Sequence, residues 1–268
     1  MYTLHAAPSM SLVQTIANMA AQQPCGEPSW DASARTPCHF RTRILGPSVE
    51  DGNASEVDSL MFGRRKVRAG CTLFRQGQPF RYIYEVRSGN LKSSMTTADG
   101  RGRVSAFHMS DELIGLDGVA EGQHACSVTA LEDSDVYAIS YALLSEMAGG
   151  NAMLQRALMQ YMSREIVREL QLLVLLGNMS AEERVAAFLL SMSQRLAVRG
   201  YSACDFHMRM TRADIGSYLG LTLETVSRAL SAFQRLGLLE VDQRHILIID
   251  LIGLARTGAM QTSPAKQA

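Results

Sequence analysis

Residues 210–239 read MTRADIGSYLGLTLETVSRALSAFQRLGLL. Thr211 and Asp214 stand three apart, the spacing at which a hydroxyl and a carboxylate reciprocally satisfy the free backbone donors of a helix start. A short helix therefore begins there, with Ile215 and Leu219 turned inward. Gly220 permits a sharp turn, and Thr222 can cap a second helix. On that second helix, at about 100° per residue, Val226, Ala229, Leu230, Phe233 and Leu236 fall on one side, and Glu224, Ser227, Arg228 and Ser231 on the other.

The polar side raises the functional question. A solvated helix face is ordinarily decorated with long Lys and Glu side chains, whereas Ser227 and Ser231 are short and admit the close approach of a large surface. The major groove of B-DNA accepts a helix, Arg bridges the O6 and N7 acceptors of guanine, and a carboxylate accepts from cytosine N4. Glu224 and Arg228 are also four apart, so an ordinary ion pair on a solvated face explains them from this helix alone. The two caps, the glycine turn and the following text favour the groove. That text, GLLEVDQRHILIID (237–250), is two β-branched runs around polar residues, the pattern of a hairpin wing. Arg244 and His245 at its tip are either phosphate contacts or a simple polar turn. Thr211, Arg212, Thr222 and Thr225, which flank the polar face at the helix starts, complete the candidate DNA-contacting set.

Upstream, Asn151 is a plausible N-cap, and Leu154, Leu158, Met162, Ile166, Leu170, Leu173 and Leu176 recur at spacings of four and three. A seam of this length tends to pair with a copy of itself, so 149–177 reads as a dimerisation helix. Packing against an upstream domain of the same chain is the alternative, on another face. Glu165 and Glu169 flank the seam, where a carboxylate facing its symmetry copy weakens association; pairing with Arg164 or Arg168 on a solvated flank is the other reading. Ser180 and Glu183 form a further capping pattern, opening a helix that carries Val185, Phe188, Leu189, Met192 and Leu196 and stops at Gly200. Gly177-Asn178-Met179 is the hinge into the C-terminal domain, 178–254.

From 57 to 148 the text is short apolar and β-branched runs punctuated by glycine, the signature of a compact antiparallel β-roll. Residues 1–56 are rich in Ala, Ser, Pro, Gly and Gln and read as a mobile arm, with Met10–Ala21 a weak helical piece. Residues 255–268 read as a flexible tail. The fold class is thus α+β: β-roll, long helix, winged helix-turn-helix.

Lys plus Arg equals Asp plus Glu at 26 each, so any nucleic-acid binding must come from local placement of charge, because a global basic field is absent. No apolar run approaches the roughly 18 residues of a membrane span, and no membrane partner is expected; a cytoplasmic location is. The five cysteines, Cys25, Cys38, Cys71, Cys126 and Cys204, are odd in number and irregularly spaced, and read as free thiols. No nucleophile–base pair, metal-ligand spacing or phosphate loop appears, so an enzyme is not expected.

Over about residues 60–250 the chain resembles the CRP/FNR family of bacterial transcription regulators, with AEERVAAFLL and the helix-turn-helix text carrying the match. Within it the fumarate-nitrate reduction branch is the most similar, its recognition helix carrying the arrangement E-x-x-S-R, here Glu224, Ser227 and Arg228. The resemblance implies a homodimer on double-stranded DNA of the TTGAT-N4-ATCAA type, with Arg228 on the G, Glu224 on the paired C side and Ser227 near the outer T. It also implies contact with RNA polymerase, and an acidic brake on dimerisation at Glu169. The competing reading is a ligand-binding regulatory module that docks on a protein partner.

Several signals are open. Cyclic AMP binders of the family use a Gly-Glu pair and an Arg-Ser/Thr pair, where this chain has Gly115-Leu116 and His124-Ala125. Nothing remains to neutralise a phosphodiester, so cyclic AMP is not expected. The branch's 4Fe–4S cluster uses three closely spaced N-terminal cysteines and one in the roll; here the arm has only Cys25 and Cys38, and Tyr137 stands at the roll position, so the standard cluster is not supported. A rearranged site or thiol switch at Cys25, Cys38, Cys71 or Cys126 stays open. So does haem, with His5, His39, His108 and His124 available, as does the absence of any cofactor.

Overall fold

In the computed structural model, which describes residues 61–97 and 99–259, antiparallel strands run to residue 140 and helices dominate thereafter. β1 (Met61–Val67), β8 (Ser134–Ser140), β3 (Tyr82–Ser88) and β6 (Leu113–Ile114) form one four-stranded sheet in that order. β2 (Thr72–Phe74), β7 (Ser127–Ala130), β4 (Leu91–Thr96) and β5 (Gly102–His108) form the second. Alternation along the strands turns Val86, Leu91, Val128, Val136 and Ala138 into one buried cluster, so the expected roll has an apolar interior.

Two helices follow. α1 (Tyr141–Gly150) leaves β8 without a linker and buries only Leu144, which is why no apolar period announced it. α2 (Ala152–Asn178) starts at Asn151, whose side-chain oxygen accepts from the Met153 and Leu154 amides at 3.0 and 3.1 Å. The seam along α2 divides. Leu154 is buried and Leu158 half-buried, packed with Ile83, Tyr137 and Ile139 of the roll. Leu158 therefore faces its own chain, a correction to its place in the dimer seam, made because the sheet lies against the first half of α2. The Tyr161 hydroxyl accepts from the Leu113 amide at 2.8 Å and marks the last such contact on that side. Beyond it Met162, Ile166, Leu170 and Leu173 are exposed, with Val167 and Val174 beside them.

α3 (Ala181–Val198) opens with the reciprocal cap: Glu183 accepts from the Ser180 amide at 2.7 Å and Ser180 Oγ from the Glu183 amide at 3.3 Å. Its stripe of Val185, Phe188, Leu189 and Met192 joins Val104, Phe107 and Met109 of the roll in one core. The two domains thus share apolar interior, and a buried ionic cluster lies at the same junction. Glu112, in the turn after Asp111 (φ 68°), accepts from Arg195 at 2.8 and 3.0 Å and from Arg199 at 2.6 Å, with Arg168 of α2 at 4.0 Å. The same arginines hold the turn's backbone, Arg195 on Phe107 O at 2.7 Å and Arg199 on Ser110 O at 2.8 Å. Burial alone would raise the Glu112 carboxyl, but Arg195, His108, Arg168 and Arg199 together hold it below the ordinary carboxylate range.

The C-terminal domain adds β9 (Asp205–His207), α4 (Arg212–Leu219), α5 (Leu223–Arg235), β10 (Leu239–Asp242), β11 (His245–Ile248) and α6 (Leu251–Ala259). The expected hairpin β10–β11 is present, and β9 pairs with β11 as a third strand too short to read from sequence. α6 runs past residue 255, where the tail was placed, because Leu254 docks into the shared core and holds the helix there. The arm, with Met10–Ala21, Cys25, Cys38, His5 and His39, lies outside the described residues, as does the end of the tail. Among the described residues no helix is long and apolar enough to cross a membrane.

Candidate nucleic-acid interface

α4 begins as the spacing requires: Thr211 Oγ1 accepts from the Asp214 amide and Asp214 from the Thr211 amide, each at 3.0 Å. Gly220 ends the helix in the left-handed region at φ 65°, and the Leu221 amide returns to Gly216 O at 2.8 Å. The turn then folds back so tightly that a Cβ on Gly216 would lie 2.7 Å from Leu221 O. Gly216 therefore sets the close approach of the two helices, a requirement the sequence reading passed over. Thr222 Oγ1 accepts from the Thr225 amide at 3.2 Å and starts α5.

α5 buries Val226, Ala229, Leu230 and Phe233, while Leu236, expected on the same side, sits at the C-cap and is 68% exposed because the helix has ended. Glu224, Arg228 and Ser231 are exposed and Ser227 is half-buried. Arg212 of α4 donates to Ser227 Oγ at 3.3 Å. Arg228 donates to Thr225 Oγ1 at 3.4 Å, and a Glu224–Arg228 ion pair is not among those of the described residues. Hydrogen bonds from its own backbone and the Thr222 hydroxyl hold the Glu224 carboxyl below its usual range, so it is an ionised acceptor. The candidate face is therefore one charged donor fork and one acceptor separated by short hydroxyls.

The wing is more closely tied down than its tip sequence implied. Gln243 takes the left-handed turn position (φ 53°) and Arg244 donates to Arg209 O at 3.2 Å. His245 Nε2 meets Asp205 at 2.6 Å and its ring stacks on His207 at 4.6 Å. Arg244 and His245 thus close the three-stranded wing upon itself. On its other flank α4 is docked on the roll: Lys92 Nζ meets Asp214 at 2.5 Å and Ser217 Oγ accepts from the Val104 amide at 2.9 Å. These contacts hold α4 and leave the polar side of α5 open.

Comparison with known proteins agrees with this arrangement. Residues 183–257 match the model of the Crp-like helix-turn-helix domain, and residues 64–151 that of the cyclic nucleotide-binding domain. The transcriptional regulatory protein btr of Bordetella pertussis is 44% identical over 224 residues, spanning 84% of this chain and 93% of that protein. The chain belongs to the CRP/FNR family of transcription regulators. Among its relatives, the fumarate and nitrate reduction regulatory protein of Vibrio cholerae is 37% identical, covering 80% of this chain and 85% of its own. The structure of FixK2 from Bradyrhizobium japonicum superimposes with a TM-score of 0.67 at 34% identity, covering 72% of this chain and 96% of FixK2. As a CRP/FNR regulator the chain is a DNA-binding protein and not an enzyme, and the reading as a module that only docks on a protein partner gives way.

The roll departs from the ligand for which its family model is named. Between β4, β5, β6 and α2 lies a cavity of about 480 Å³. Its ionisable lining groups are His108, Asp117, Cys126, Glu165 and Glu169, and no lysine or arginine among the described residues lines it. Burial pushes the His108 imidazole down to about 4, so it is neutral at physiological pH, with Nε2 against Ser93 Oγ at 2.6 Å. Asp117 accepts from the Ala125 and Cys126 amides at 2.7 and 3.1 Å and is held below its usual range despite burial. A phosphodiester about 4 Å from such a carboxylate meets a repulsion of about 4 kcal/mol at an effective dielectric of 20. Leu116 and the buried His124, stacked on Phe74 at 3.7 Å, stand where the cyclic AMP binders carry their carboxylate and guanidinium. A cyclic nucleotide does not fit these residues.

The remaining sensor candidates are placed as follows. Burial and Asp117 push the Cys126 thiol up to about 12, so it is a protonated donor and not a reactive thiolate. Cys71 is disulfide-bonded, which corrects its reading as a free thiol. Cys126 and Cys204 are free. Tyr137, at the roll position that the resemblance gives to a cluster cysteine, is buried with its hydroxyl unpartnered and offers no thiolate.

Proposed function

We propose that this regulator acts as a homodimer on a TTGAT-N4-ATCAA-like palindrome and controls genes for low-oxygen or redox-related metabolism. The observation that carries the reading is the polar face of α5, where Arg228 and the ionised Glu224 are exposed and Ser227 and Ser231 keep the space between them open. Arg228 bridges the G of each half-site, Glu224 accepts from the paired C, and Ser227 lies near the outer T. Thr211, Arg212, Thr222 and Thr225 line the approach to the phosphates. The exposed residues Met162, Ile166, Leu170 and Leu173 of α2, with Glu169 among them, are the seam on which a second copy packs. Pairing there sets the two α5 helices to enter successive major grooves about 34 Å apart. The relatives named for anaerobic and for fumarate and nitrate regulation support the metabolic part of the reading. On a promoter, loops of the roll and the C-terminal domain are the surfaces offered to RNA polymerase.

A gel shift on the palindrome against a scrambled duplex tests this. The native chain shifts the palindrome as a dimer, and Arg228→Ala, losing a bidentate contact of about 1–3 kcal/mol per half-site, loses at least tenfold in affinity. Equal binding of both duplexes, or an unaffected Arg228→Ala, refutes it.

A further inference from the structure

A serine hydroxyl by itself selects no base, because it donates as readily as it accepts. On α5 the Ser227 hydroxyl is not by itself. Arg212 of α4 donates Nη1–H to Ser227 Oγ at 3.3 Å, and both side chains are half-buried. The contact spans the turn between the two helices, whose close approach Gly216 permits. Nothing else holds this arginine. The carboxylate in its own helical turn, Asp214, is taken by Thr211 and Lys92, and no ion pair of Arg212 occurs among the described residues. A cation in the first turn of a helix is also opposed by the helix dipole. Its only hydrogen bond among the described residues is the one to Ser227. The hydrogen of the Ser227 hydroxyl is free as well. Thr257 on α6 donates its hydroxyl to the carbonyl four residues back, Gly253 O, at 3.1 Å, as hydroxyls inside helices commonly do, whereas Ser227 makes no such bond among the described residues.

We propose that Arg212 is a positioning residue for base recognition: by donating to Ser227 Oγ it turns the hydroxyl hydrogen away from itself and fixes Ser227 as a donor to the groove. Ser227 then accepts a base edge that carries an acceptor and rejects one that carries an amino group. Thymine presents O4 and cytosine N4–H2 at the same place in the major groove, so the Arg212–Ser227 pair distinguishes T from C at the outer position of the half-site. An amino group there meets the hydroxyl hydrogen with a guanidinium behind it. The inference rests on the reading of α5 as the helix that enters the groove, and deepens it at one base pair. It differs from a phosphate contact by Arg212, which would hold the protein on the duplex and carry no sequence information.

Competition gel shifts with the full chain decide it on three duplexes. The first is the TTGAT-N4-ATCAA palindrome. In the second, the outer T·A pair of one half-site is replaced by 5-methylcytosine·G, which keeps the pyrimidine methyl group and exchanges O4 for N4–H2. In the third, the G·C pair of that half-site is replaced by A·T. The native chain is expected to prefer thymine to 5-methylcytosine by about fivefold or more, the effect of one mismatched pair. In Arg212→Met, which keeps the apolar stem, that preference is lost while the preference for G, read by Arg228, is kept. Ser227→Ala loses the same preference, and the double variant loses nothing further, because both changes remove one interaction. An undiminished preference for thymine in Arg212→Met, at any overall affinity, makes Arg212 a phosphate contact alone and overturns the proposal. Loss of the preference for G together with that for T, the mark of a displaced α5, overturns it too, as does a preference for thymine that survives Ser227→Ala. A native chain that binds palindrome and scrambled duplex equally refutes the reading of α5 as well, whereas one that prefers the palindrome yet ignores the outer pair refutes this inference alone.

Discussion

Replacing Glu112 by Gln removes one negative charge from between three guanidinium groups. The side chains of Glu112 and Arg199 are 6% and 8% exposed, Arg195 is 17%, and only Arg168, at 41%, has ready access to water. Breaking a buried pair by removing one partner costs about 3–5 kcal/mol, because the surviving charge stays desolvated and unanswered. Here two such charges survive. The glutamine amide keeps one acceptor oxygen, which places the expected loss near the lower end, about 3 kcal/mol. For a cooperative unit of this size each kcal/mol moves the midpoint by about 2–4 °C, so the melting temperature should fall by about 6–12 °C. Thermal and urea melts of the native chain and Glu112→Gln measure this, with Asp99→Asn as the control: Asp99 pairs with Arg101 at the surface, where the side chains are 51% and 87% exposed. That pair, open to water and screened by salt, is expected to contribute little. Arg199→Met should cost more than Arg168→Met, in the order of their burial. A loss for Glu112→Gln no larger than that of the control refutes the claim that the junction is held by a desolvated ionic cluster.

Three further outcomes are expected. The folded-state pKa of His108, about 4, lies below its unfolded value of 6.5, so the unfolded chain binds the extra proton first and stability falls as pH drops from 6.5 towards 4, by roughly 3 kcal/mol. Glu112, also lowered, adds its loss only as pH falls below about 4.5, and the raised carboxyls of Glu165 and Glu169 act in the opposite sense above it, so the difference between the native chain and His108→Gln across pH 4.5–6.5, in which those carboxyls cancel, reports the histidine. Gly216→Ala places a Cβ against the backbone of Leu221, so it should cost about 1–3 kcal/mol and weaken palindrome binding at least tenfold by displacing α5; an unchanged gel shift contradicts the turn geometry. Glu169→Ala should raise the dimer fraction in sedimentation at micromolar concentration, and an unchanged distribution removes the acidic brake from α2.

Local signals were legible wherever side chain and backbone interact within a few residues. Asn151, Ser180, Thr211 and Thr222 each cap the helix that their spacing foretold, since a cap needs only the four residues that follow it. The polar face of α5 was legible for the same reason, being a projection of one helix. What stayed hidden depends on partners distant in the chain. Leu158 carries the seam's period but meets a strand that precedes it, and period alone does not say which neighbour a face will find. Arg195 and Arg199 read as ordinary charges at the end of a helix, yet they close on Glu112 more than 80 residues earlier. Gly216 is silent in a pattern search because its role is to carry nothing where a backbone arrives.

The junction bears on how a signal in the roll reaches α5. His108, Leu113 and Ile114 line the cavity, and Glu112, in the same short turn, holds α3 through Arg195 and Arg199. α3 shares its core with α4 and α5, so the segment that forms the cavity wall also holds the DNA-reading domain in place. Coupling of the two requires that both sites bias one element between two arrangements. The buried ionic cluster is a fit candidate for such an element, because a desolvated charge network is either made or broken and has few intermediate states of low energy. If it is the element, Glu112→Gln must diminish the effect of a cavity ligand on palindrome affinity while leaving the ligand's own affinity in the absence of DNA little changed. If instead ligand affinity and DNA affinity fall together with stability, Glu112 is structural mortar between the domains, and the signal must travel along α2 through the dimer seam.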